Sequence, residues 1–164
     1  MPPVFCSLDF ASSLKVADGL VTKVAREKLV EGRAIVREIG DGVLQMIESK
    51  SNVTGLFTTF PTVLSVIRPG KTAVPYTESH VDLYSYKDTA LHFTSILYLL
   101  GADTGGELNM ERGEKEREVK TTQGTLITFT SGEENRHRVA EVIEGVRVAL
   151  TIFFTCDQDF HIMI

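Results

Sequence analysis

The sequence contains no tryptophan and only two cysteines, Cys6 and Cys156. Two thiols cannot build a disulfide framework, and neither stands near a second Cys or His at zinc spacing, so a stapled mini-domain and a zinc finger are both excluded. Both cysteines read as structural thiols. The longest apolar run, Ile96–Leu100, is far too short to cross a bilayer as a helix. No excess of positive charge is present either. The net charge of −5 speaks against a nucleic-acid partner, which needs a basic face. Met1–Phe10 lacks the basic start and long apolar stretch of a signal peptide, so the expected compartment is the cytoplasm. The endoplasmic reticulum is the alternative if the chain is part of a longer one. In that compartment Asn52-Val53-Thr54 would match a glycosylation acceptor.

What the sequence does have is the balance of an ordinary globule, with 43% apolar and 24% charged residues over 164 positions. That length suits one domain, expected to run over residues 1–164 with a helical cover at 1–50 and a β core at 51–164. In the first third, Leu14, Ala17, Val21, Val24 and Ala25 recur at helical spacing, with Ser12 or Ser13 as N-cap. Gly32, or Gly40 with Gly42, is expected to end this helix, and Val43–Ser49 to form a second one.

After Ser51 the texture changes to short segments rich in Thr, Val, Ile, Phe and Tyr. Strands are expected at Thr62–Ile67, His80–Tyr84, His92–Leu99, Glu107–Met110, Val119–Thr121, Thr125–Thr130, His137–Glu141 and Val146–Thr155. Breaks fall at Pro69-Gly70, Gly105-Gly106, Gly113, Gly124, Gly132 and Gly145. About eight strands in ~100 residues suggest a jelly roll or a related barrel. The charged run Glu111–Glu118, interrupted by Gly113, reads as a solvated hairpin tip.

The chemistry begins at His80-Val81-Asp82. On a strand, residues i and i+2 point to one face, so an imidazole and a carboxylate could converge there. Two His and one carboxylate on one face of a metal form the non-haem iron arrangement, with positions left open for substrate and oxygen. Taken alone, His-x-Asp carries little information. The chain has four His, and His137 opens an expected strand well downstream of Asp82, while His92 and His161 read as structural or surface residues. Beyond His137 comes Arg147, inside the apolar stretch Val146–Phe154. A buried guanidinium needs an anion. Glu141 or Glu144 could supply it as a structural ion pair, or Arg147 could clamp a ligand carboxylate.

Five ordered blocks carry a resemblance: His80-x-Asp82, Ser95–Leu99, Gly105–Leu108, Gly124–His137, and Gly145–Phe154. Together they resemble the prolyl 4-hydroxylase-like group of Fe(II)- and 2-oxoglutarate-dependent dioxygenases. Phe129–Asp157 is most similar to the branch holding prolyl 3-hydroxylases, lysyl hydroxylases and iron-dependent oxygenase domain proteins. The resemblance covers roughly residues 62–157. It implies a mainly β fold, a double-stranded β-helix of the jelly-roll, cupin-like kind, behind N-terminal helices. It also implies iron on His80, Asp82 and His137, with Arg147 and Tyr98 on the distal carboxylate of 2-oxoglutarate. Thr94, Ile96 and Thr151 are weaker candidates for the same pocket. The implied activity is C–H hydroxylation, of a prolyl or lysyl side chain or of a small molecule, with release of succinate and CO2 and with ascorbate as reductant. The alternatives are a non-catalytic metal-binding jelly roll and a cupin-type metalloenzyme without 2-oxoglutarate. Leu100 departs from the group, where Asn often follows the Tyr-Leu pair. No Arg follows Arg147, which argues against a base demethylase.

Overall fold

The computed structural model describes residues 6–7, 23–70, 78–82, 91–112 and 115–157. The expected N-cap at Ser12 or Ser13, the positions Leu14, Ala17 and Val21, and His161 lie outside them.

Helix α1 spans Lys23–Ser51 without interruption. It passes through Gly32, Gly40 and Gly42, so the expected break and the separate second helix are corrected to one element. Each mid-helix glycine costs about 1 kcal/mol relative to alanine. Burial outweighs this, because Val43 and Ile47 pack with Leu56 beneath the sheet, at roughly 1.5–3 kcal/mol for each fully buried side chain. Gly40 is itself buried at that contact, where an added Cβ would lie 3.5 Å from Thr58. The helix ends at Asn52, whose φ of 54° is the left-handed conformation that terminates helices and that Asn tolerates.

The described strands all pair antiparallel. Strands β1 (Cys6–Ser7), β2 (Phe57–Ile67), β3 (Phe93–Leu100), β7 (Leu126–Thr130) and β10 (Arg147–Thr155) form one sheet in the order β1-β2-β10-β3-β7. A second sheet runs β6-β5-β8, from β5 (Leu108–Arg112), β6 (Lys115–Val119) and β8 (His137–Val139). Strands β4 (Thr104–Gly105) and β9 (Val142–Glu144) pair separately.

The period of two along β10 divides the core. Leu150, Ile152 and Phe154 face α1. Ala149 faces the other way, with Ile67, Ile96 and Tyr98, toward Leu108, Val139 and Val142. A bulge between Val148 and Ala149 sets Leu100 opposite Val148, so Leu100 leaves the cavity face and is exposed.

Several strand expectations shift, and the strand expected at Thr62–Ile67 already begins at Phe57. His80 makes an isolated bridge with His137 rather than opening a described strand, and Tyr84 is outside the described residues. The strand expected at Val119–Thr121 ends at Val119, and its charged residues pair with β5 almost to the hairpin tip. His137–Glu141 is not one strand: the chain leaves β5 at Ala140 and joins β4 two residues later. Gly105 and Gly106 both take positive φ, 77° and 75°, and form the expected turn.

Candidate metal centre and co-substrate cavity

His80 and His137 are drawn together by the backbone. Each donates its N–H to the other's carbonyl, at 2.9 and 2.8 Å. Their imidazoles are then fixed from behind. Nδ1 of His80 lies 2.8 Å from the carbonyl of Glu78, and Nδ1 of His137 lies 2.9 Å from that of Asn135. A carbonyl only accepts, so Nδ1 carries a proton in both rings, and in the neutral ring it is Nε2 that offers a lone pair to a metal. Nε2 of His80 lies 3.8 Å from Asp82 Oδ1, and Nε2 of His137 lies 3.6 Å from Asp82 Oδ2. One donor atom from each of His80, Asp82 and His137 lies within 4.8 Å of the others. Two donors bound to one ion at ~2.1 Å stand at most ~4.2 Å apart, and both His–Asp pairs already satisfy that limit. A donor set of two imidazoles and one carboxylate suits Fe(II) or Mn(II).

Burial favours the neutral ring at His137, which is only 3% exposed. Its pKa is pushed below the usual histidine value by desolvation, and the Asp82 carboxylate opposes this only in part.

Asp82 is held by a chain of hydroxyls. Thr94 Oγ1 donates to Asp82 Oδ2 at 2.9 Å, and Ser131 Oγ lies 2.9 Å from Thr94 Oγ1. Thr94 has one proton, which goes to Asp82, so Ser131 must donate to Thr94. Both hydroxyl residues are essentially unexposed, at 0% and 1%. Thr94 is therefore placed behind the carboxylate and does not line the cavity, unlike Ile96 and Thr151, which do.

The three candidate ligands open into a cavity whose walls include Val63, Ser65, Ile96 and Thr151, with Arg147 among them. Arg147 is 3% exposed. Its Nη2 donates to the hydroxyl of Tyr98 over a long 3.4 Å, and its Nε, fully buried, has no hydrogen-bond partner among the described residues. Glu141 and Glu144 are exposed, and no described carboxylate pairs with Arg147, which disfavours the structural ion pair. A buried cation in this state still lacks the anion that would offset its desolvation. Gly106 makes room for it, because a Cβ there would press on the Arg147 Cδ at 3.3 Å. Burial pushes the Tyr98 phenol above its ordinary pKa, and the neighbouring Arg147 lowers it in part. The phenol thus keeps a proton to offer a carboxylate.

Residues 71–155 match the family described as the 2OG-Fe(II) oxygenase superfamily. The chain belongs to this superfamily. Its name carries the metal, Fe(II), and the co-substrate, 2-oxoglutarate, that the two ends of this cavity fit. The chain is 39% identical over 114 residues to the 2-oxoglutarate and iron-dependent oxygenase domain-containing protein 3 of Rattus norvegicus, covering 65% of this chain and 35% of that one. It is 34% identical over 77 residues to prolyl 3-hydroxylase 1 of Gallus gallus, covering 45% of this chain and 10% of that protein. This chain therefore spans about a third of the first relative and a smaller part of the second. Among solved structures, the viral collagen prolyl hydroxylase of Paramecium Bursaria Chlorella virus-1, in its 2OG complex, superposes with a TM-score of 0.60 at 18% identity over 74% of this chain and 72% of that one. At that identity the likeness establishes the fold, the jelly roll of the 2OG oxygenases.

Sequence reasoning missed Ser131, Glu78 and the carbonyl role of Asn135. Ser131 carries no local signal. The two carbonyls share one, since each lies two residues before its histidine.

No helix among the described residues is long and apolar enough to cross a membrane.

Proposed function

We propose that residues 1–164 form one Fe(II)- and 2-oxoglutarate-dependent oxygenase domain that hydroxylates a C–H bond of a protein residue, with a prolyl or lysyl side chain as the first candidate. The observation that carries this reading is a buried guanidinium, with no anion among the described residues, in the same cavity as a His-Asp-His cluster. A metal site alone fits many chemistries. A metal site facing an unsatisfied carboxylate clamp fits a dicarboxylate that spans the two.

In this reading His80, Asp82 and His137 would hold Fe(II), which supplies oxygen activation when bound. Arg147 grips the distal carboxylate of 2-oxoglutarate through its planar fork, and the Tyr98 hydroxyl adds a second donor. Ile96, Val63 and Val139 keep water from that end of the cavity. The hydroxyls of Thr94 and Ser131 hold the Asp82 carboxylate in one orientation. The overall conversion consumes O2 and 2-oxoglutarate and yields one hydroxyl, succinate and CO2. No side chain here acts as nucleophile or general base. A cytoplasmic location belongs to the same proposal and rests on a cysteine count too low for a disulfide framework. Cell fractionation tests it.

The deciding experiment incubates the chain with Fe(II), ascorbate, 2-oxoglutarate and a peptide library. Succinate that depends on iron, together with a peptide gaining the mass of one oxygen, is the expected result. Oxidation that proceeds without 2-oxoglutarate would favour the cupin-type alternative.

A further inference from the structure

The hairpin β5–β6 sorts its charges by face. Directly opposed residues of neighbouring strands share a face, and that face alternates along each strand. Met110 pairs with His137 on one side and with Arg117 on the other, so His137, Met110 and Arg117 stand in one row. The deeper row is Val139, Leu108 and Val119, in which Val139 and Leu108 line the cavity. Lys115 lies one step further out on the same face, since it is two residues from Arg117. Glu116 and Glu118 fall on the opposite face, in register with Glu111 and Asn109.

The two faces differ in compensation. On the outer face Arg138 reaches both Glu111, at 3.7 Å, and Glu116, at 2.8 Å. Glu111 also accepts a 2.7 Å hydrogen bond from Ser79, next to His80. On the metal-side face, Lys115 and Arg117 are exposed, and neither has an ion-pair partner among the described residues. A chain of net charge −5 thus sets two cations without an ion-pair partner among the described residues on the face of its candidate metal centre.

We propose that Lys115 and Arg117 select a polypeptide substrate with an acidic segment flanking the residue to be oxidised. This rests on the oxygenase reading above. Neighbouring strands lie about 4.8 Å apart, which puts Arg117 roughly 10 Å from His137, two strands away. An extended peptide advances about 3.3 Å per residue, so an Asp or Glu about three residues from the oxidised one meets the Arg117 guanidinium. Two cations are too few for a nucleic-acid backbone, which is held by a continuous basic stripe. They are enough to discriminate between short peptides by charge.

The test uses the full chain loaded with Mn(II) and 2-oxoglutarate. Three fluorescent peptides share a central proline and differ only in four flanking positions, filled with Glu, Gln or Lys. Anisotropy should rank them Glu over Gln over Lys. The Glu peptide should bind at least about fivefold tighter than the Gln peptide in 50 mM salt, with the gap closing at 500 mM. The Lys115→Glu/Arg117→Glu double variant should reverse the ranking while still binding Mn(II) at one per chain. Equal affinities in the wild type would overturn the proposal. So would a Glu preference that survives the double variant, or tighter binding of an oligouridylate of equal charge. Calorimetry of Mn(II) and 2-oxoglutarate on the same samples separates the two readings. Failure there overturns the oxygenase reading and reduces a retained Glu preference to peptide binding without oxidation, whereas normal binding there without the preference overturns this inference alone.

Discussion

The rings of His80 and His137 stand 4.5 Å apart between centroids and are held by the same local device. In each, Nδ1 donates to the carbonyl two residues earlier in the chain. The device needs no partner side chain, so it leaves no mark in residue identity. It sets both tautomers before any metal arrives, and Asp82 has only to complete the set.

Metal binding follows from that set. The protein should take up one Mn(II) or Fe(II) per chain, and Asp82→Ala should abolish it, as read by metal analysis after gel filtration. Undiminished metal in Asp82→Ala would remove the site. Ligating imidazole must be neutral, so affinity should weaken as acid protonates the rings. Burial lowers the His137 pKa, so its own proton competes only at more acid pH.

Thr94 and Ser131 give a finer test. Loss of a hydrogen bond to a metal-ligating carboxylate typically costs 10–100-fold in affinity. Thr94→Val should weaken Mn(II) binding about tenfold or more, Ser131→Ala by less, and Thr94→Ser should restore most of the loss. Calorimetric titration of Mn(II) reads all three. A Thr94→Ser variant as weak as Thr94→Val would mean that packing of the methyl, and not the hydroxyl, is what matters.

Arg147→Ala should keep the metal and lose the co-substrate. Truncating one partner of a buried charge pair costs roughly 2–5 kcal/mol, so 2-oxoglutarate affinity should drop at least about thirtyfold. Arg147→Lys should recover only part, because an ammonium lacks the planar fork. Equal affinity of wild type and both variants in the Mn(II)-loaded state would take Arg147 out of the site.

Tyr98 supplies the pH dependence. Burial, partly offset by Arg147, raises its pKa above 10 in the folded chain. Above about pH 10 the unfolded chain gives up this proton first and the folded chain retains it. Folding stability should therefore fall as pH rises from about 10 toward the folded value, with no contribution from Tyr98 below 10. Absorbance titration should show one tyrosine ionising late in the native protein and normally in denaturant, and Tyr98→Phe should remove it. A normal native titration of every tyrosine would contradict the burial.

The helix makes its own prediction. Nothing lies within 4 Å of a Cβ built at Gly32 or Gly42, and both positions are exposed. Gly32→Ala and Gly42→Ala should each stabilise the chain by about 0.5–1 kcal/mol, read from urea midpoints. Ile47→Ala should cost about 2–5 kcal/mol. Destabilisation by either glycine replacement would revive the broken helix expected from sequence.

How much was legible depends on the reach of each signal. Arg147 was readable because a guanidinium is costly to bury without purpose, whereas His80, Asp82 and His137 were readable only as members of ordered blocks that resemble a known family, and the structure brings all four to one cavity. The strand periods were readable from alternation, with ends displaced where the chain changes sheets at Ala140 or bulges beside Leu99. Gly32, Gly40 and Gly42 misled because local propensity says nothing of the sheet that α1 covers. Thr94 looked like any β-former, since its role depends on Ser131, thirty-seven residues away in sequence.

Strand β10 lets adjacent residues answer to different demands. Arg147 and Thr151 line the cavity, where a small change of side chain alters what fits, whereas Leu150 and Ile152 face α1, where only volume and shape count. Heat tolerance can therefore be engineered through every second residue of one strand with the reaction left alone. The same arrangement forbids the insertion or deletion of a single residue between Arg147 and Thr151, which would turn the strand over and trade its oily side for its working side.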